Sequence, residues 1–350
     1  MARRKSPRRT PEITLAPLIA ALVVASGAIA APIGSPSIDV AVPRGSTVAL
    51  PDLRRLNFRC MGAGAPTVIL ESGFGASSLA WSKVQPLIAA RHKVCSYDRA
   101  GYGGSDPGPL PRDGAAVARD LDEGLRAAGL RGPLIMVGHS AGGLYVRLFA
   151  ARRPREVVGM VLVDPSVAHQ DAVLSAAFGA GAGSLAPLRQ RAERCLDAAE
   201  HGRIRSEDPS VVQCLPPPTT PLSRSARETR VAEAAKPATW KAQIAELDTL
   251  WSQTSDEVEA IGPGGRDTPL IVLTADGDDP GGPSGAGAPL LRFWRGLHQK
   301  IAATSTAGEE RLIRGSSHMM MNDRPDAIVG AIEDVTSRAA ERTLPHRRNG

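Results

Sequence analysis

The sequence predicts an α/β protein: a mainly parallel central sheet with helices on both faces and an inserted helical lid. Three observations carry that prediction. Short apolar runs of strand length alternate with helical patterns through residues 53–165, and such runs need cover on two sides, which helix layers around a parallel sheet supply. The rhythm stops over residues 166–265, where Ala- and Arg-rich helical segments are interrupted by Gly179–Gly183 and by a proline-rich run at 216–221, without a convincing strand. It resumes over residues 266–340, which read as the second part of the same core.

At 350 residues, with 42% hydrophobic and 22% charged residues, the chain can bury a sizeable core, and one core with an insertion is the expected organisation. The formal charge of +6 is concentrated at the start, where Arg3, Arg4, Lys5, Arg8 and Arg9 face the single acid Glu12 within residues 1–30. Without that segment 37 basic residues meet 35 acidic ones, a net of +2, so no nucleic-acid partner is expected.

The basic start, the uncharged run Leu15–Ala31 and the small residues Ala28-Ile29-Ala30 have the three parts of a secretory signal, predicting export with residues 1–30 removed. The rival is an uncleaved membrane anchor, since the run is near the short limit for a span. Residues 31–52 read as an N-terminal connector and 341–350 as a basic tail. Four cysteines suit an oxidising compartment, with Cys60 to Cys95 and Cys195 to Cys214 as the expected pairs.

In order, strands are expected at Leu53–Cys60, Thr67–Glu71, Lys93–Tyr97, a run ending before Gly138, Val157–Val163, Pro269–Thr274 and Arg311–Ile313. Helices are expected at Ala80–Ala90, Ala115–Ala128, Leu144–Ala150, Leu290–Ala303 and Asp326–Ala339. The glycine-rich loop ending at Pro289 lacks a Gly-Lys-Ser/Thr close, which argues against phosphate binding; neither metal nor cofactor is expected.

The chemistry centres on Gly138-His139-Ser140-Ala141-Gly142, a Gly-x-Ser-x-Gly turn between an apolar strand and a helix. A nucleophilic serine must project from a sharp turn, and Gly138 and Gly142 leave room for one. The loop Ser72-Gly73-Phe74-Gly75 ends another strand, so the Phe74 and Ala141 N–H groups are assigned to an oxyanion hole. A serine hydroxyl needs a base and the base needs a carboxylate; His318 and one of Asp276, Asp278 and Asp279 stand in loops after late strands of the same sheet. Asp98 and Arg99 read as a structural ion pair or loop hydrogen bonding rather than as catalytic groups.

Across residues 53–340 the sequence resembles the α/β-hydrolase superfamily, in its lidded group of esterases, lipases, epoxide hydrolases and prolyl aminopeptidases. The pieces that carry the resemblance are Glu71-Ser72-Gly73-Phe74-Gly75, the run from Tyr97 to Gly103, Gly138–Gly142 and Gly315-Ser316-Ser317-His318. The family's order of nucleophile, acid and histidine implies Ser140, Asp278 and His318, with Asp276 and Asp279 as close rivals. Asp164 is a further alternative, because some members place the acid after the preceding strand. Serine in place of aspartate as nucleophile argues against epoxide hydrolase or dehalogenase chemistry and implies acyl transfer on a small-molecule ester. An aminopeptidase or amidase would need a lid acid for the substrate amine, for which Glu193, Asp197 and Glu200 are available, although a solvated helix face is the simpler reading. A catalytically silent binding protein on the same fold is the reading from another class. Met319–Met321 beside His318 read as core packing or as lining of an apolar pocket.

Overall fold

The computed structural model describes residues 45–205, 213–215, 224–262, 267–277 and 288–343. The segment 1–30 predicted as an export signal, most of the predicted connector, the proline run, Asp278, Asp279 and most of the basic tail lie outside them.

Eight strands form one sheet, β1 (Ser46–Ala49), β2 (Arg55–Met61), β3 (Thr67–Glu71), β4 (Val94–Tyr97), β5 (Leu134–His139), β6 (Val157–Val163), β7 (Leu270–Ala275) and β8 (Gly308–Ile313). Their order is β1-β2-β4-β3-β5-β6-β7-β8. The pairs β1–β2 and β2–β4 are antiparallel and the others parallel. β1 falls inside the predicted connector: its four residues are mostly exposed, so pairing with β2 rather than burial makes it a strand, and no apolar pattern announced it.

The two-residue period of the buried strands divides the core between two faces. Leu134 and Met136 of β5 pack with Leu121, Leu144 and Phe149, whereas Ile135 and Val137 pack with Trp81, Ile332 and Val335. The first face is covered mainly by α2 (Gly114–Ala127) and α3 (Gly142–Arg152), the second by α1 (Gln85–Ala89) and the C-terminal helix described below. The helix predicted over Ala80–Ala90 is instead a 3₁₀ turn, Ser78–Trp81, followed by α1. Pro86 lies in the first turn of α1, where its missing N–H costs no intrahelical bond; further into a continuous helix it would remove one. α2 starts where Asp113 accepts a hydrogen bond from the Ala116 N–H at 2.7 Å.

Between β6 and β7 the described residues hold five helices and no strand: α4 (Gln170–Phe178), α5 (Ala186–Glu200), α6 (Arg224–Ala234), α7 (Pro237–Leu250) and α8 (Gln253–Ala260). Leu188, Ala192, Cys195, Ala198, Cys214, Trp240 and Leu247 give this segment a small core of its own, and Phe74 packs into it. After β7 come α9 (Ala288–Ala302), β8, α10 (Met320–Asp323) and α11 (Pro325–Thr343). Met320 and Met321 are fully buried against Ile328, Ala331 and Ile332, so they are core residues.

Both expected cysteine pairs are joined. Cys60 and Cys95 face each other across the β2–β4 ladder with Cα atoms 4.1 Å apart. Cys195 and Cys214 tie α5 to the following loop, 5.6 Å between Cα atoms. Among the described residues no helix is long and apolar enough to cross a membrane.

Candidate active site

The carboxyl ends of β3, β5 and β6 and the loop after β8 meet at one edge of the sheet. Ser140 occupies the turn between β5 and α3 with φ of 52°, a left-handed conformation that costs a non-glycine residue about 1–3 kcal/mol and is held only where its surroundings impose it. Its N–H donates to the Val163 carbonyl at 3.1 Å, and its carbonyl accepts from Gly143 and Ser166 at 2.9 and 3.0 Å. The flanking glycines are required sterically. A Cβ on Gly138 would lie 2.5 Å from the Gly142 carbonyl oxygen, and one on Gly142 would lie 2.7 Å from that of Glu71.

His318 follows β8 and donates from Nδ1 to Oδ2 of Asp164 at 2.6 Å. In the neutral ring that bond fixes the tautomer, with the hydrogen on Nδ1 and the lone pair on Nε2. Asp164 closes β6, also at positive φ (41°). Its second oxygen accepts from the Ala275 N–H at 3.1 Å and from Trp294 Nε1 at 3.3 Å. Burial works to raise the Asp164 pKa, but the hydrogen bond and charge of His318 outweigh it, and the carboxyl sits below its ordinary value.

Asp164, an alternative in the sequence analysis, is thus the carboxylate that meets His318. Asp278 and Asp279 lie outside the described residues. Asp276 is engaged elsewhere: its oxygens accept from the Gly315 and Ser316 N–H groups at 3.0 and 3.1 Å, shaping the loop that delivers His318. The loop after β3 lies against Ser140, since a Cβ on Gly73 would be 3.1 Å from Ser140 Cβ. Neither the Phe74 N–H nor the Ala141 N–H has an acceptor among the described residues. The acids Glu193, Asp197 and Glu200 are exposed and paired with Arg189, Arg203 and Lys241 respectively, as expected of a solvated helix face.

Several residues at the site escaped the sequence reading. His139, beside Ser140, reaches the His318 carbonyl from Nε2 at 2.8 Å. A carbonyl only accepts, so Nε2 carries the hydrogen and Nδ1 is a bare, buried lone pair facing Gly73. Burial first, and the neighbouring His318 second, lower the His139 pKa to about 3. His139 therefore stays neutral while the unfolded chain takes up a proton below its ordinary value of 6.5. Its contribution to stability is present above pH 6.5 and is lost on acidification toward pH 3. Urea unfolding across that window should show a shallower pH dependence in His139→Gln than in the parent; an unchanged slope would contradict the assignment.

His298 on α9 is fully buried, accepting from Thr274 Oγ1 and donating to the Pro165 carbonyl, both at 2.9 Å. Its burial lowers its pKa, and it holds the turn that presents Asp164. A lone histidine on a helix carries no sequence signal for that task.

Asp98 does not pair with Arg99. It accepts from Asn57 Nδ2, Ser78 N–H and Gly104 N–H at 2.7, 2.8 and 2.9 Å, while the Arg99 guanidinium turns toward Glu71 on β3 and Glu246 on α7. A cavity of about 430 Å³ opens among the helices between β6 and β7, at Ser175, Leu185, Leu247 and Trp251. Leu185 and Leu247 pack in the cluster that takes in Phe74. A smaller one, about 60 Å³, lies at the opposite edge, where β6 and β7 begin at Val157 and Leu270.

Residues 68–331 match the family described as the alpha/beta hydrolase family. Among solved structures, the chain superposes on a thermophilic esterase from Thermogutta terrifontis with TM-score 0.58 and 19% identity, covering 85% of this chain and 99% of that one. A protein from Acinetobacter baumannii AYE, provisionally described as a lipase, gives TM-score 0.62 at 15% identity over 86% of this chain and 93% of its own. At these identities the likeness concerns the fold. Among curated proteins, the uncharacterised YqjL of Bacillus subtilis (strain 168) is 32% identical over 106 residues, 30% of this chain and 42% of its own length. The chain therefore spans less than half the length of that relative.

Proposed function

The chain belongs to the alpha/beta hydrolase family, and from that premise we propose that it is an exported serine hydrolase that cleaves carboxylic esters of small molecules. Ser140 is the nucleophile, His318 the general base and Asp164 the acid that orients it; Phe74 and Ala141 provide the oxyanion donors. The observation that carries the reading is the His318–Asp164 hydrogen bond of 2.6 Å, at the sheet edge where Ser140 stands strained between two glycines. It supports a base held at the sheet edge where Ser140 stands rather than a serine in an ordinary turn.

In this mechanism Ser140 Oγ attacks the ester carbonyl while His318 Nε2 takes its proton. The carbonyl oxygen becomes an oxyanion facing the two backbone N–H groups, and collapse expels the alcohol, which takes the proton back from His318. A water deprotonated by His318 then releases the acid from the acyl-enzyme. The N-terminal sequence and the two disulfides support an exported location. The exposed positions of Glu193, Asp197 and Glu200 count against an aminopeptidase, which needs an acid turned toward the substrate amine.

A panel of p-nitrophenyl esters and aminoacyl p-nitroanilides tests the reading, together with intact mass after fluorophosphonate treatment. One phosphonyl adduct on the parent and turnover of the esters are expected. Turnover confined to the anilides, or a folded parent that takes no adduct, would overturn it.

A further inference from the structure

Arg99 is fully buried, and all five of its N–H donors are used. Nε and one Nη2 hydrogen grip both carboxylate oxygens of Glu246 on α7, at 2.8 and 3.1 Å. Nη1 donates to Glu71 at 2.8 Å and to the Ser72 carbonyl at 2.7 Å, and Nη2 donates to the Gly73 carbonyl at 3.0 Å. Tyr97 and Tyr102 donate to the same two carboxylates, at Glu71 and Glu246 respectively.

The Gly73 carbonyl decides what this cluster does. It belongs to the peptide unit whose other end is the Phe74 N–H. That peptide is trans, so its C=O and N–H point in opposite directions. A guanidinium on the oxygen therefore turns the N–H away from Arg99, and the same loop comes within contact of Ser140 Cβ. A cationic donor on a carbonyl also polarises the amide, strengthening the N–H as a donor. We propose that Arg99 is a positioning residue for the oxyanion hole: it aims and polarises the Gly73–Phe74 peptide and, through its fork to Glu246, ties that peptide to lid helix α7. The proposal deepens the acyl-transfer reading and rests on it for its kinetic consequence. Displacing α7 would strip the fork of Glu246 and leave a buried carboxylate uncompensated, so the lid and the hole hold their geometry together.

The structural part is measurable without turnover. Of the five phenylalanines only Phe74 follows a glycine, so ¹³C-carbonyl glycine with ¹⁵N-phenylalanine labels a single peptide unit in the full chain. Arg99→Lys keeps the charge and loses the planar fork; Glu246→Gln is the milder change at the other end and decides the matter if Arg99→Lys does not fold. Both are expected to move the Gly73–Phe74 correlation, the first further than the second. In parallel, p-nitrophenyl butyrate is compared with its thiono analogue, whose sulfur gains little from an oxyanion hole. Arg99→Lys is expected to lower kcat on the ester by about 100-fold with a much smaller loss on the thionoester. An unmoved correlation in the folded variants, or equal losses on the two substrates, would overturn the inference. A parent inert toward both substrates would count against the esterase reading instead, and the labelled peptide would still decide the role of Arg99.

Discussion

Ser140→Ala is expected to lower ester turnover by about 10⁶-fold, with the fold retained. In the proposed mechanism the nucleophile and base act as a unit: without Oγ, His318 would have no proton to accept and the hole no tetrahedral intermediate to bind. For the same reason His318→Ala should fall to a similar rate, and the double variant should be no slower than either single one. Retention of the fold is expected because the turn is held by the Ser140 backbone, through Val163, Gly143 and Ser166, and those bonds survive the substitution. Single-turnover kinetics with far-UV circular dichroism check both halves. Either folded single variant keeping more than about a hundredth of the parent kcat would remove Ser140 or His318 from its role.

Asp164→Asn should cost about 10⁴-fold in kcat. The carboxylate accepts from His318 Nδ1; an amide that turns its Nδ2 hydrogens to the ring forces the proton onto Nε2 and the base is lost. Asp276→Asn should leave kcat within about tenfold, because Asp276 shapes the loop through backbone N–H groups and an amide oxygen can still accept from one of them. Asp278→Asn separates the two candidate acids: the 10⁴-fold loss at that position, with Asp164→Asn active, would transfer the role.

The Asp164 substitution also has a pH signature. A carboxyl whose folded pKa lies below its unfolded value adds stability above the unfolded value, and that stability is lost as the pH falls through the folded one. Asp164→Asn should accordingly unfold with less dependence on pH below about 4 than the parent.

Composition and local pattern were enough to establish the alternating strands and helices, the sheet that receives them, the helical insertion, and the positions of Ser140 and His318 in their loops. These are local properties: an apolar run long enough for one strand, two glycines around a serine, a histidine after the last short strand. The cysteine pairs were legible as well, because Cys60 and Cys95 lie in strand-like runs and Cys195 and Cys214 lie 19 residues apart in the insertion. β1 was not, because four largely exposed residues become a strand only by pairing with β2.

Only the tertiary structure decided which acid meets His318, because sequence order alone leaves Asp164, Asp276, Asp278 and Asp279 all at the ends of neighbouring strands. Choosing among carboxylates at the ends of neighbouring strands requires the direction of each side chain, and that depends on the φ of 41° at Asp164 and on the loop that Asp276 shapes. Arg99 is the same case. Arg99 beside a buried strand end was visible as a charge in need of a partner, whereas Glu71 read only as the last residue of its strand. That they pair across β3 and β4, and that the same guanidinium takes the Gly73 carbonyl and a carboxylate on α7, 147 residues away, is a property of the packed chain. A charge in a sequence states that a partner is needed; the low dielectric of the folded interior makes the need large, and only the fold says which group meets it.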